Sequence, residues 1–252
     1  MRTTQNPGRV AGLWYLLLIV LGPLRLIYIP NKLFVEGNAA ATVNNIAAHE
    51  LLFRLGVIAD LAGAVVLVLL TLAFYRLFAG VDRHLAALVV ILGGVMPSLL
   101  FFVGVVCDLA ALLVVRGAGF LSVFDKPQQD ALAVLFLKLR GQENIAAETL
   151  WGVWLFPLAV LVFRSRFLPR FLGVWLALGG FAWVALSATG VLWPQYQHQL
   201  FSIFQPVFFG EIALTLWLLI RGARPREVGA ADGVVPGGGS HVSASSPQGG
   251  RN

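Results

Sequence analysis

Residues Phe171–Gly210, FLGVWLALGGFAWVALSATGVLWPQYQHQLFSIFQPVFFG, run for 40 positions without an Asp, Glu, Lys or Arg. Soluble domains carry one of these four at about every fourth residue, so the stretch does not suit a water-facing fold. A membrane-crossing helix needs about 20 mostly apolar residues, and this stretch contains one, Phe171–Trp193, and begins a second, Phe204–Ile220. Shorter charge-free intervals recur at Ala11–Leu24, Leu61–Tyr75, His84–Cys107 and Thr149–Phe163. They add crossings at Val10–Ile29, Leu55–Phe78, Leu85–Val115 and Ile145–Phe163. The whole chain has only 12% charged residues against 58% hydrophobic, which excludes an ordinary soluble domain. The fold class expected is all-α: a polytopic membrane protein whose six transmembrane helices form a bundle, with short amphipathic helices on its outer face.

The third crossing is too long for a level span. Its 31 residues would measure about 46 Å as a helix, so it must tilt, protrude or kink, and Pro97 beside Gly93 and Gly94 is the expected bend. Between crossings, Asn38–Phe53 reads as a helix capped by Asn38 that runs directly into the second span. Asp125–Arg140 places Leu132, Leu135, Phe136 and Leu139 opposite Gln128, Asp130 and Lys138. That pattern suits a helix lying on the membrane surface or one packed on the bundle's rim. Residues 1–222 thus form one six-span domain, and Ala223–Asn252, rich in Gly, Ser and Pro, is expected to be a disordered tail. His241 belongs to that tail. At the N-terminus, Val10–Ile29 is longer than a signal-peptide core and no small-x-small cleavage site follows it, so it reads as an uncleaved anchor.

The net charge of +6 does not point to nucleic acid, because the basic residues are scattered between apolar segments and never form a stripe. They sort by side of the membrane instead. With the spans above, eleven Lys and Arg residues fall on the side of the two termini and five on the other, so both termini are expected in the cytoplasm. Arg164, Arg166 and Arg170 in one tight connection are the firmest anchor of that assignment. The single cysteine, Cys107, forms no intramolecular disulfide and no cysteine-based zinc site.

Ionisable groups inside spans are costly and rare. Arg25, Arg54, Asp60, Asp108 and Glu148 all fall in the outer half of their helices, and Glu211 lies nearer the middle of the last one. This shared depth implies a polar chamber opening outward. Pro97, Phe101, Gly104 and Asp108 share one face of the third span, Asn144 and Glu148 are four apart, and Glu50 can pair with Arg54 at the membrane interface. The chamber candidates are Glu50, Arg54, Asp60, Asp108, Asn144, Glu148 and Glu211, with Arg54 neutralising or positioning the charge and Arg25 snorkelling to the headgroups. Four intramembrane acids against two arginines leave an excess of negative charge that protonation or a bound cation would relieve; proton-sharing hydrogen bonds between helices would serve packing alone. His49 and His198 are weak metal candidates without a recognised ligand spacing, and no metal or other cofactor is expected. Nucleophile elbows, phosphate-binding loops and dinucleotide fingerprints are absent. The tryptophans fall mostly toward span ends, where interfacial anchoring explains them.

Three stretches carry a family resemblance: Ala39-Ala40-Ala41-Thr42 with Asn45-Ile46 and Glu50-Leu51-Leu52-Phe53-Arg54-Leu55-Gly56; Arg166-Phe167-Leu168-Pro169-Arg170-Phe171-Leu172-Gly173; and Gly210-Glu211-Ile212-Ala213-Leu214. Together they resemble the bacterial membrane family called domain of unknown function 4386, over about Val10 to Gly222. The resemblance implies a six-span protein of the bacterial inner membrane with recurring polar positions at Asn45, Glu50, Arg54 and Glu211, and it supplies no activity. The functions left open are a binding or transport unit for a proton, cation or small polar solute, an enzyme acting on lipid or isoprenoid substrates at the outer leaflet, and a structural partner in a membrane complex. The partners expected are the lipid bilayer and a small-molecule or ion ligand.

Overall fold

The computed structural model describes residues 6–223. The tail over residues 224–252, with His241 and three of its arginines, lies outside the described residues. Six helices are long and apolar enough to cross a membrane: α1 (Pro7–Leu33), α3 (Glu50–Phe78), α4 (Arg83–Val115), α5 (Lys126–Arg164), α6 (Arg170–Leu192) and α7 (Pro194–Ile220). The short α2 (Ala39–Ala48) precedes α3, and no strand occurs among the described residues.

Side-chain caps set the helix starts. Asn6 accepts from Gly8 N at 3.1 Å, Asn38 from Ala41 N at 2.9 Å, and Asp82 from His84 N and Leu85 N at 3.1 Å. Asp125 and Gln128 form a reciprocal capping box. The irregularity expected in the long third span takes the form of a π turn over Ile91–Val95, which contains Gly93 and Gly94 and ends two residues before Pro97. A second π turn, Leu24–Tyr28, follows Pro23 in α1. Each inserts extra backbone that shifts the facing of the residues around it.

Asp125–Arg140 is not a separate surface helix. It forms the first turns of α5, which runs unbroken from Lys126 to Val153, because helix formers fill the segment and its box-capped start gives it no reason to turn before the apolar run. Its buried stripe is Asp130, Ala133, Leu137 and Arg140, rather than the leucine stripe that its amphipathic pattern suggests; Leu135 and Leu139 are exposed.

Both ends of the described chain meet at one end of the bundle. Gly8 N donates to the Ala223 carbonyl and Ala223 N to the Asn6 side chain, each at 3.1 Å. At this terminal end Arg164 also pairs with Asp82 at 3.2 Å. The apolar interior falls into two main clusters: one around Tyr15, Phe74, Phe78, Trp154, Leu158 and Leu214 toward the terminal end, the other around Ile29, Leu33, Phe53, Val57, Leu112 and Leu137 toward the far end. Leu51, Val106, Phe181 and Val191 are among many large apolar side chains on the outer surface. An exterior this apolar would be an association hazard in water and suits lipid. The chain is a multi-pass membrane protein.

Packing against lipid offers no net hydrophobic gain, so close fit must hold the helices together. The α5–α6 contact shows how: a Cβ at Gly152 would lie 2.5 Å from the Gly180 carbonyl oxygen, and one at Gly180 would lie 2.9 Å from the Gly152 carbonyl oxygen. Backbone cannot swing aside as a side chain can. Gly152→Ala is expected to lower stability by about 1–3 kcal/mol in thermal unfolding of the detergent-solubilised protein, whereas Gly141→Ala, where nothing lies within 4 Å of an added Cβ, is expected to leave it unchanged or raise it.

Candidate functional site

Four buried side chains from four helices close a ring near the boundary of the two apolar clusters. The π turn of α1 carries Arg25, 7% exposed. Its Nε donates to Asp60 Oδ2 of α3 at 2.7 Å, and its Nη2 donates to Asp108 Oδ2 of α4. From α5, Arg140, 6% exposed, donates through Nη2 to the same Asp60 oxygen at 3.0 Å, with its Nε 3.6 Å from Asp108 Oδ2. Each aspartate therefore faces two guanidinium groups and each arginine two aspartates. Arg140 Nη1 further donates to Glu143 and, at 2.6 Å, to Asn144 Oδ1.

Two glycines make room for this ring. Gly56 is one turn before Asp60, and a Cβ there would meet Ile29 Cδ1 at 2.9 Å and Arg25 Cδ at 3.6 Å. Gly104 is one turn before Asp108, and a Cβ there would lie 2.8 Å from both Arg140 Nε and Glu143 Oε2. The same Gly-x-x-x-Asp spacing thus brings α1, through Ile29, against the Asp60 helix and Arg140 against the Asp108 helix. Asp108 is wholly buried, and among the described residues its Oδ1, Arg140 Nε and Glu143 Oε1 have no hydrogen-bond partner.

The ring borders a cavity of about 200 Å³ to which all six long helices contribute. Arg25, Asp60, Arg140 and Asn144 line one end; Asp108 and Glu143 stand behind the arginines, off the wall. Tyr15, Trp151, Trp154, Trp183 and Glu211 line the other end. Tyr15 and Arg25 are separated by about 15 Å along α1. Glu211 accepts from the Tyr15 hydroxyl through Oε2 and from Trp183 Nε1, at 3.1 Å, through Oε1. Trp151 meets Trp183 edge-on at 5.3 Å, and Tyr15 and Trp154 lie 6.1 Å apart. Gly93 lets Trp154 approach α4, since a Cβ there would fall 2.5–2.9 Å from the indole ring. Gly22 also lines the cavity and has open space in front of it.

The sequence candidates divide accordingly. Asp60, Asn144 and Glu211 reach the cavity, and Asp108 reaches the ring behind it. Glu148 lies apart, 3.4 and 3.5 Å from Gln197 Nε2 in a separate shallow pocket that includes His198. Glu50 and Arg54 pair with each other at 2.7 Å, with the Arg54 side chain 43% exposed, and do not touch the ring. His49 is exposed, its Nδ1 3.1 Å from the Asn45 carbonyl oxygen. Among the described residues, no three of His, Cys, Asp and Glu are grouped as metal ligands.

Three expectations are corrected. Arg25 does not snorkel to the headgroups: Asp60 and Asp108 hold it inside. The positioning charge is supplied by Arg25 and Arg140 rather than Arg54, and Arg140 with Glu143 belongs to the interior rather than to an outside connection. Trp151, Trp154 and Trp183 line the cavity instead of anchoring the bundle at the interface. The signals that point to the arginines are the paired Gly-x-x-x-Asp spacings and the Arg140, Glu143, Asn144 grouping at helical spacing.

Residues 10–222, which take in every residue of the ring and the cavity, match a family described as a domain of unknown function, DUF4386. The chain belongs to this family. No curated protein and no solved structure matches this DUF4386 member.

Removing one partner from a buried ionic set strands the others without compensation, at about 3–5 kcal/mol. Arg140→Gln is therefore expected to lower unfolding stability in detergent by that amount, and Arg54→Ala by less than about 1 kcal/mol. Equal losses for the two variants would contradict the ring.

Proposed function

We propose that the chain is a membrane-embedded binding unit, of the binding or transport class, whose central cavity holds one small molecule with a polar group. The observation that carries this reading is the cavity itself. A bundle with a purely structural role would fill such a space to the density of other protein interiors, yet here six helices leave about 200 Å³ bordered by fixed polar groups at one end and aromatic walls at the other. Small-molecule sites have that composition: mostly apolar walls and a few polar groups held in place.

The ring narrows the occupant. Asp60 and Asp108 are already answered by two arginines, so that end of the cavity is not a bare acidic trap for a metal ion or inorganic cation. A polar solute that accepts hydrogen bonds from Arg25 and Arg140 suits it better, and the mutual pairing keeps those donors oriented before the ligand arrives. Neither His49 nor His198, the histidines that could assist a carboxylate in an enzyme, borders the cavity.

The distribution of basic residues supports an inner-membrane orientation with the terminal end in the cytoplasm. In that orientation Arg25 and Arg140 lie toward the outer leaflet and Tyr15 with Glu211 deeper. A green fluorescent protein fused after Asn252 is then expected to fluoresce and an alkaline phosphatase at the same point to be inactive; the opposite pair of results would reverse the orientation.

Gly22→Leu extends a side chain into the open part of the cavity. In a thermal-shift screen of small polar compounds against the purified protein, some compound is expected to raise the melting temperature of the wild type and not that of Gly22→Leu. A screen in which no compound distinguishes the two proteins would contradict a ligand-holding cavity.

A further inference from the structure

Among the described residues, the carboxylate at the aromatic end of the cavity has no cation of its own. Asp60, Asp108 and Glu143 each lie within ion-pair distance of an arginine, and Asp130 of Lys126. Glu211 has only two neutral donors among the described residues, the Tyr15 hydroxyl and the Trp183 indole N–H. Glu148 shares that condition, but outside the cavity, beside Gln197. Neutral hydrogen bonds orient a carboxylate without cancelling its charge, and an uncancelled charge in a low-dielectric interior is costly.

The side chains around Glu211 have a common electrostatic character. Tyr15, Trp151, Trp154 and Trp183 present aromatic rings, whose faces are negative and attract cations, Trp most strongly. Four rings and a carboxylate on one wall make a site for positive charge, above all for charge spread over carbon-bound substituents that also gain from apolar contact. The acids at the polar end, about 15 Å away along α1, are already paired with Arg25 and Arg140, whereas Glu211 has only neutral donors among the described residues, so a cation entering the cavity is drawn toward Glu211. At about 200 Å³ the space is smaller than the roughly 300–1,000 Å³ of pockets for drug-sized ligands, which restricts the occupant to a small molecule.

We propose that the inner end of the cavity binds the ammonium group of a small organic cation, with Glu211 as counter-ion and Tyr15, Trp151, Trp154 and Trp183 as its walls. This rests on the cavity being a ligand site and adds the chemical class of the ligand. The polar end, with Arg25, Arg140 and Asn144, then receives whatever hydrogen-bond acceptor the same molecule carries.

The test is a tryptophan-fluorescence titration of the full-length protein in lipid nanodiscs at constant ionic strength, with three probes of one shape: choline, its uncharged isostere with a quaternary carbon in place of the nitrogen, and the tert-butylacetate anion. Choline is expected to give a saturable change, with the isostere weaker by about tenfold or more. Glu211→Gln is expected to remove most of that preference while leaving isostere binding in place. Trp151→Leu, which leaves the carboxylate untouched, is expected to weaken choline more than the isostere and serves if the Glu211 variant does not fold. If the isostere or the anion binds the wild type as tightly as choline, and Gly22→Leu blocks it, the ammonium assignment falls and the cavity reading stands. If none of the three binds, the ammonium assignment falls, and the compound screen with Gly22→Leu decides the cavity reading separately.

Discussion

Two arginines and two aspartates, one from each of α1, α3, α4 and α5, share a single set of hydrogen bonds and ion pairs in the interior of the bundle, and the positions of those helices are tied to it. Helices already in lipid gain little by burying apolar surface against one another. An unpaired charge among them, by contrast, costs several kcal/mol. The ring therefore penalises any arrangement that separates these four helices or slides one along another far enough to break a pair. The glycines one turn from each aspartate belong to the same constraint: Gly56 lets Ile29 and with it α1 approach the Asp60 helix, and Gly104 leaves the space that the Arg140 guanidinium occupies beside Asp108.

The cavity follows from how the remaining elements close around that ring. Toward the far end, Ile29, Phe53, Leu112 and Leu137 pack tightly above it. On the terminal side the bulky side chains are aromatic and rigid: Tyr15 and Trp154 meet at a tilt, Trp151 meets Trp183 edge-on, and Tyr15 and Trp183 both donate to Glu211. Rigid rings joined in this way do not collapse into the space beside Gly22. The two π turns, one carrying Arg25 and one placing Gly93 against Trp154, sit where the cavity is bordered. Such turns are frequent at functional sites, and here both serve to aim or admit a large side chain.

Much of the fold is legible in the sequence, because a charge-free run of membrane length such as Phe171–Gly210 is hard to place anywhere but in lipid. The irregularity at Gly93, Gly94 and Pro97 and the Asn38 cap are legible for equally local reasons. The candidate site is legible only in part. Asp60, Asp108 and Glu211 stand out because an acid in an apolar run is conspicuous on its own. Arg25 is easily misread because its depth along α1 is equally compatible with snorkelling outward, and only the facing set by the π turn decides against it. Arg140 escapes notice for a different reason: α5 extends well beyond its apolar window, so a residue among polar neighbours in sequence ends up among buried ones in space. The tryptophans show the same limit, since position along a span gives depth but not which side of the helix faces the interior.

Every other feature of the interior leans on the ring, and a double-mutant cycle on Arg25 and Asp108 tests it most directly. Arg25→Met, Asp108→Leu and the double variant would be compared with the wild type by thermal unfolding in one detergent. Each single variant is expected to lose stability and the double variant to lose much less than the sum, a coupling above about 1 kcal/mol, because removing both partners leaves no stranded charge between them. Strictly additive losses would show that the two residues do not depend on each other and would contradict the ring.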